Sequence, residues 1–195
     1  MGKKTKQDII DVAKKMFNER GFDNVSVREI SEALRMSKGN LTYYFKKKED
    51  IAEAILESNG MDSFEISKNL EELHVQFNRM QQVVMDNAFY FGYYTQLANR
   101  SLRIREMQKN VINLIRMNLL RSFHFLSKQG YLIEERFDGE YECIVDALML
   151  NIIYWIPYNR MKDNDKESTF TEHAWKLIFG LLSDKGKSEV SIDKF

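Results

Sequence analysis

The chain has 195 residues, 44% of them hydrophobic and 30% charged, with 29 Lys/Arg balancing 29 Asp/Glu. This composition excludes a disordered chain, one proline with nine glycines argues against a turn-rich all-β fold, and a single cysteine, Cys143, excludes an intramolecular disulfide. The neutral total hides an asymmetry: residues 1–50 hold twelve Lys/Arg against eight Asp/Glu and the remainder 17 against 21, a split that suits contact between the first part and a polyanion.

No apolar run reaches the roughly 18 residues that cross a bilayer. "ALMLNIIYWI" at 147–156 comes nearest, and "MGKKTKQDII" at the start lacks a signal-peptide core. A cytoplasmic protein with no membrane partner is expected.

In chain order, "KQDIIDVAKKMFNERGF" puts Ile9, Ala13, Met16 and Phe17 on one helical face, and Gly21-Phe22 reads as its glycine-capped end. Ser26-Val-Arg-Glu29 has the capping-box spacing and opens a second helix, with Ile30, Ala33 and Leu34 inward. Ser37 caps a short third helix whose inward residues are Leu41 and Phe45. A fourth begins near Lys47 and ends near Ser58. Residues 63–92 read as one long helix through Leu70, Leu73, Phe77, Met80 and Val84. Another runs from Leu102 to Lys128 through Met107, Val111, Leu114, Ile115, Asn118 and Phe125. After a turn at "FDGE", an apolar helix spans about 140–161, with Pro157 expected to kink or end it. A charged loop, 162–169, leads to the capping box Thr169–Glu172, a last helix to about Ser183, and a polar tail expected to fray. The fold class is all-α, divided into a helix-turn-helix domain at 1–50 and a larger helical domain at 51–195.

Two short helices separated by about four residues, the second opened by a capping serine, form a helix-turn-helix. In that arrangement the second helix enters the major groove of DNA by its N-terminal residues. With Leu41 and Phe45 turned to the core, Ser37, Lys38, Gly39, Asn40, Thr42, Tyr43 and Tyr44 remain to face DNA. Gly39 suits close backbone approach, tyrosine hydroxyls can donate to phosphate, and Lys46, Lys47 and Lys48 gather cations where the next helix starts. The tyrosines also suit plain packing of a small domain.

The stretch from "TKQDIIDVAKKMFNERGF" through "VREI", "SKGNL" and "YFKKKEDI" resembles the DNA-binding domain of the tetracycline-repressor (TetR/AcrR) family of bacterial transcriptional regulators, over about residues 5–55. The resemblance implies DNA contact by Ser37, Lys38, Asn40, Tyr43, Tyr44 and Lys48. Two positions depart from the family pattern: Arg35 stands where the turn usually has glycine, and Thr42 where a tyrosine commonly follows the leucine. Arg35 must then accept a left-handed backbone or bend the turn differently.

The resemblance further implies that the chain beyond about residue 60 senses a small molecule and forms a homodimer on a near-palindromic operator. There the residues are read directly. "FYFGYY" at 89–94, including Phe89 and Tyr93, could wall an apolar pocket with Met117, Trp155 and Tyr158, oriented by Asn118, Arg121 and His124. The same aromatics at helical spacing serve equally as core. Leu148, Ile152, Trp155, Leu177 and Leu181 supply an apolar surplus for the dimer contact that the resemblance implies in the last two helices.

The histidines His74, His124 and His173 lack partners at metal-ligand spacing, Cys143 lacks a neighbour that would activate it and reads as a buried structural thiol, and no glycine loop cradles phosphate. No enzyme, metal or cofactor is expected. The reading is a ligand-responsive regulator, with a helical protein-interaction module as the alternative.

Overall fold

The computed structural model describes residues 5–58, 64–162 and 168–190. Contacts group the chain into two compact units, one of Met1–Met61 with Asp86–Gln108, the other of Asp62–Met85 with Lys109–Phe195.

Local rules build the first unit. Helix α1, Lys6–Arg20, opens on a capping box in which the Thr5 side chain accepts from the Asp8 N–H. It ends at Gly21, whose φ of 82° an L side chain would resist. Ile9, Ala13, Phe17 and the following Phe22 are buried. Helix α2, Val27–Ala33, starts from the expected Ser26/Glu29 capping box. Its inward set differs from the expectation at one place. Ala33 is exposed and Ser31 is buried instead, its hydroxyl satisfied by the Arg28 carbonyl at 2.7 Å. After α2 come α3, Lys38–Tyr44, and α4, Lys48–Glu57.

The units divide the chain differently from the expected 1–50 and 51–195. Helix α4 continues past residue 50, and 86–108 joins the first unit, where the Phe89 ring lies tilted against Phe17 at 5.3 Å and stacked on Phe22 at 6.5 Å. The long helix expected over 63–92 is in fact α5, Leu70–Asp86, followed by α6, Ala88–Gly92, and α7, Tyr94–Arg100. Residue 63 lies outside the described residues. Asn69 starts α5 by accepting from the Glu72 N–H at 2.8 Å. At the break, the Asn18 amide donates to the Asp86 carbonyl and accepts from the Phe89 N–H, so a side chain takes over backbone bonds that a continuous helix would make.

Helix α8, Leu102–Lys128, has the expected bounds, its first turns belonging to the first unit and the rest to the second. In the second unit α9, Glu140–Met161, follows the turn at Gly139 and runs through Pro157 to Met161, so the proline does not end it. Most of the 162–169 loop lies outside the described residues. Helix α10, Phe170–Ile178, begins with the Thr169/Glu172 capping box and passes into a 3-10 turn, Phe179–Leu181.

The core of this unit joins Phe77, Trp155, Phe170 and Trp175 edge to face. The Trp175 indole N–H donates to His74 Nδ1 at 3.0 Å. Of the tail expected to fray, residues 185–189 belong to α11, Asp184–Glu189, and residues 191–195 lie outside the described residues. A Cβ at Gly186 would stand 2.2 Å from the Tyr131 carbonyl oxygen, so glycine there permits the packing. Cys143, expected to be buried, is exposed on α9. No helix among the described residues is long and apolar enough to cross a membrane.

Candidate nucleic-acid interface

Helix α3 is fixed from below and open above. Leu41 is fully buried and Phe45 nearly so, with the Lys6 ammonium 5.4 Å from the Phe45 ring centre. The Ser37 side chain accepts from the Asn40 N–H at 3.2 Å, so its first role is to start the helix. What α3 leaves outside is Lys38, Gly39, Asn40 and Tyr43, the last 85% exposed. A Cβ at Gly39 would meet nothing within 4 Å, so packing within the chain does not require glycine there. Tyr44 is half-buried, its ring edge to face with Tyr43 at 5.4 Å.

Two expected contacts are built differently. The Thr42 hydroxyl is turned onto its own helix and donates to the Lys38 and Gly39 carbonyls, each at 3.0 Å. Lys48, expected to contact DNA, has its ammonium engaged within the chain. It donates to the Phe22 carbonyl at 2.6 Å and to Asp23 O at 3.5 Å, 4.3 Å from the Phe22 ring centre. Burial lowers its pKa below the ordinary lysine value, against the opposing pull of Asp23. Lys48 thus fastens the start of α4 to the α1–α2 connection. Asp23 is itself bound by Arg100 at 2.5 Å, and this bond holds its carboxyl below the usual range. The sequence held no signal for this, because the lysine is 26 and 25 residues from its two acceptors.

Lys46 and Lys47 remain exposed beside α3. So does Arg35, in the turn between α2 and α3. Its φ is 53°, the left-handed alternative, and its guanidinium has no hydrogen-bond or ion-pair partner among the described residues. The sequence marked Arg35 only as a departure.

The residues expected to line a ligand pocket divide between the two units, Phe89 and Tyr93 in the first and the others in the second. Phe89 belongs to the core of the first unit, and Tyr93 lies in that unit beside Gly21. On α8, Asn118 points inward and donates to the Phe64 carbonyl at 2.6 Å, whereas Met117, Arg121 and His124 fall on the exposed side. Steps of three and four residues from position 117 stay on one face, and position 118 belongs to the other. Trp155 is buried against Phe170, while Tyr158 is exposed under the Lys162 ammonium. Polar groups do lie inside the unit: Ser122 donates to Asn118 O and accepts from the Ser67 N–H, and the buried Ser67 hydroxyl has no partner among the described residues.

The expected dimer face is corrected as well. Leu148, Ile152, Trp155 and Leu181 are buried within the chain, and Leu177 is half-buried. The exposed apolar stripe of α9 is Leu150, Tyr154, Tyr158 and Met161, the first 61% and the last 77% exposed. The clue available was that α9 is apolar on every side, which leaves a surplus face without saying which one it is.

The tetR family model of bacterial regulatory proteins matches residues 9–55. A probable HTH-type transcriptional regulator of Bacillus subtilis (strain 168), YttP, is 38% identical over 136 residues, which cover 67% of this chain and 61% of the relative. An HTH-type transcriptional regulator of Staphylococcus aureus (strain USA300) is 28% identical over 94 residues, 44% of this chain and 50% of that one. The chain therefore spans between half and two thirds of the length of these relatives. Among solved structures, a TetR-family transcriptional regulator from Marinobacter aquaeolei VT8 superposes with a TM-score of 0.83 at 19% identity, over 95% of both chains. AibR, solved in complex with isovaleryl coenzyme A and operator DNA, gives 0.65 at 19% identity, over 90% of this chain and 97% of its own. These structural likenesses concern the fold.

Proposed function

The chain belongs to the tetR family of bacterial regulatory proteins, and from that premise we propose that it binds operator DNA as a homodimer and regulates transcription, as a repressor released by a small molecule. The observation that carries the reading is the open side of α3. Lys38, Asn40 and Tyr43 stand exposed, while Leu41 and Phe45 hold the helix in place. Lysine and asparagine in the first turn of such a helix match the hydrogen-bonding edges of guanine and adenine in the major groove. Gly39 lets the backbone come close, and Lys46 and Lys47 add charge for the phosphates.

A recognition helix of seven residues makes few base contacts, and two copies about one helical turn apart are the usual remedy. The exposed stripe of α9 supports the pairing, since four large apolar side chains lie on one face of a helix whose other face is already covered. An effector in the second unit would find an apolar interior with a few polar groups, Ser67 and Asn118 among them. AibR, of the same fold, holds an acyl-coenzyme A together with operator DNA, which supports effector response as a capacity of this architecture. Coupling of this kind is reciprocal: an effector that weakens DNA binding is itself bound less tightly by the DNA-bound form.

The test is selection of preferred duplexes from a random pool, followed by anisotropy titrations on the selected and random sequences. Lys38→Ala and Asn40→Ala should each cost about 1–3 kcal/mol on the selected duplex and far less on random DNA. Equal losses on both would remove base reading from α3.

A further inference from the structure

We propose that Arg35 is a phosphate contact added to the turn of the helix-turn-helix, kept in a strained backbone because its guanidinium reaches DNA; this rests on the DNA-binding reading above. Arg35 is the one non-glycine residue with positive φ among the described residues. At 53° its Cβ crowds the neighbouring carbonyl, a clash that glycine is spared. The chain around it leaves no easier path. Its own N–H donates to the Glu32 carbonyl and that of Met36 to the Ser31 carbonyl, each at 2.9 Å, and Leu34 just before it is buried.

Packing gives no reason for an arginine here. The side chain is exposed and pairs with no described residue, whereas Arg20, Arg28, Arg100 and Arg103 of the same unit each hold a carboxylate. A strained residue whose side chain does nothing for the fold points to a partner outside the chain. Arg35 stands two places before the Ser37 cap and three before the exposed Lys38. Beside a groove-reading helix the external acceptor is a phosphate oxygen, to which a guanidinium presents two parallel N–H donors. Lys48, which the sequence offered for such a contact, holds protein carbonyls instead, so the turn supplies a cation that Lys48 does not.

Three variants of the full chain, Arg35→Gln, Arg35→Lys and Arg35→Gly, separate charge from strain. The probe is a fluorescein-labelled random-sequence duplex of roughly 30 base pairs, about three helical turns, titrated between about 50 and 200 mM salt. Arg35→Gln keeps the strain and loses the charge. Its slope of log affinity against log salt should fall by about 0.9 per bound chain, so its deficit grows roughly threefold per chain from the high-salt to the low-salt end. Arg35→Lys should keep the wild-type slope. Arg35→Gly should lose slope as the glutamine variant does, yet melt about 2–4 °C higher, because glycine removes the clash.

An unchanged slope in Arg35→Gln, beside a wild type whose binding is salt-dependent, overturns the proposal and leaves the DNA-binding reading standing. A wild type with no salt-dependent binding to any duplex overturns both. A glycine variant that melts no higher overturns the claim that strain is tolerated for function.

Discussion

The two compact units contrast in how their helices choose an inward side. In α3 two apolar residues, Leu41 and Phe45, mark the covered face, and almost everything else is polar or exposed. In α9 the apolar residues circle the helix. Tyr141, Val145, Leu148, Ile152 and Trp155 are buried at steps of three and four, and Leu150, Tyr154, Tyr158 and Met161 repeat the same steps on the exposed side. An amphipathic helix declares its core by contrast with its polar side. A helix that is apolar all round has no contrast to read, and only its packing partners decide.

Substitutions in α9 should therefore divide by side, and this gives the largest expected effect. Trp155→Ala removes a buried indole that meets Phe170 and His173, and should lower stability by about 3–5 kcal/mol. Leu150→Ala, on the opposite side of the same helix, should change the stability of the unassociated chain by no more than about 0.5 kcal/mol. Urea unfolding at low protein concentration measures both. Similar losses at the two positions would show that the two faces are not distinct.

The next effect tests the outer stripe as an interface. Leu150→Glu combined with Tyr154→Glu should weaken self-association about a hundredfold, or about 2–3 kcal/mol, with helical content unchanged. Leu148→Glu should instead unfold part of the second unit, since that side chain is buried. Sedimentation velocity with circular dichroism separates the cases. A double variant that remains fully associated would move the interface off α9.

The first unit was legible wherever a rule spans a few residues. The Ser26 capping box, the Ser37 cap, the Gly21 stop and the inward pair of α3 follow from spacings of three or four positions, and all are present. Long-range contacts were not legible. Asn18 breaks the helix at residue 86 from 68 residues away, Phe89 packs with Phe17 and Phe22, and Gly186 lets part of a supposed tail pack as a helix. The site was mixed for the same reason. Lys38, Asn40 and Tyr43 stand open as expected, but the acceptors of Lys48 are 26 and 25 residues away. Periodicity reports which residues share a face of one element, and it is silent on what arrives from elsewhere to cover that face.

Lys48 tests that distinction within the polar unit. Lys48→Met keeps most of the aliphatic stem and removes the bonds to Phe22 O and Asp23 O. It should cost about 1 kcal/mol of stability, a partly exposed charged hydrogen bond being worth less than a fully buried one. Operator affinity should fall modestly with the loosened α4, while the salt slope stays at the wild-type value. A slope lower by about one would restore Lys48 to the phosphates.

The smallest effect concerns the local rules themselves, and pH reads it. The Glu29 carboxylate accepts from Arg20 at 2.5 Å, and from the Ser26 hydroxyl and Ser26 N–H at 2.8 Å each. The arginine bond first and the serine bonds after it hold its pKa at about 2, against an ordinary 4.5. A carboxylate whose folded pKa is depressed contributes stability above its unfolded pKa and loses it as pH falls toward the folded one. The contribution of Glu29 is therefore complete above about pH 4.5 and fades as pH drops toward about 2. Because the pair is exposed, added salt should shrink the contribution further. Melting curves of the wild type and Glu29→Gln should thus differ most near neutral pH and converge at the acid end. If the gap between them stays constant through that window, then ionisation of Glu29 is not its source, and the charge pair with Arg20 adds nothing to the start of α2.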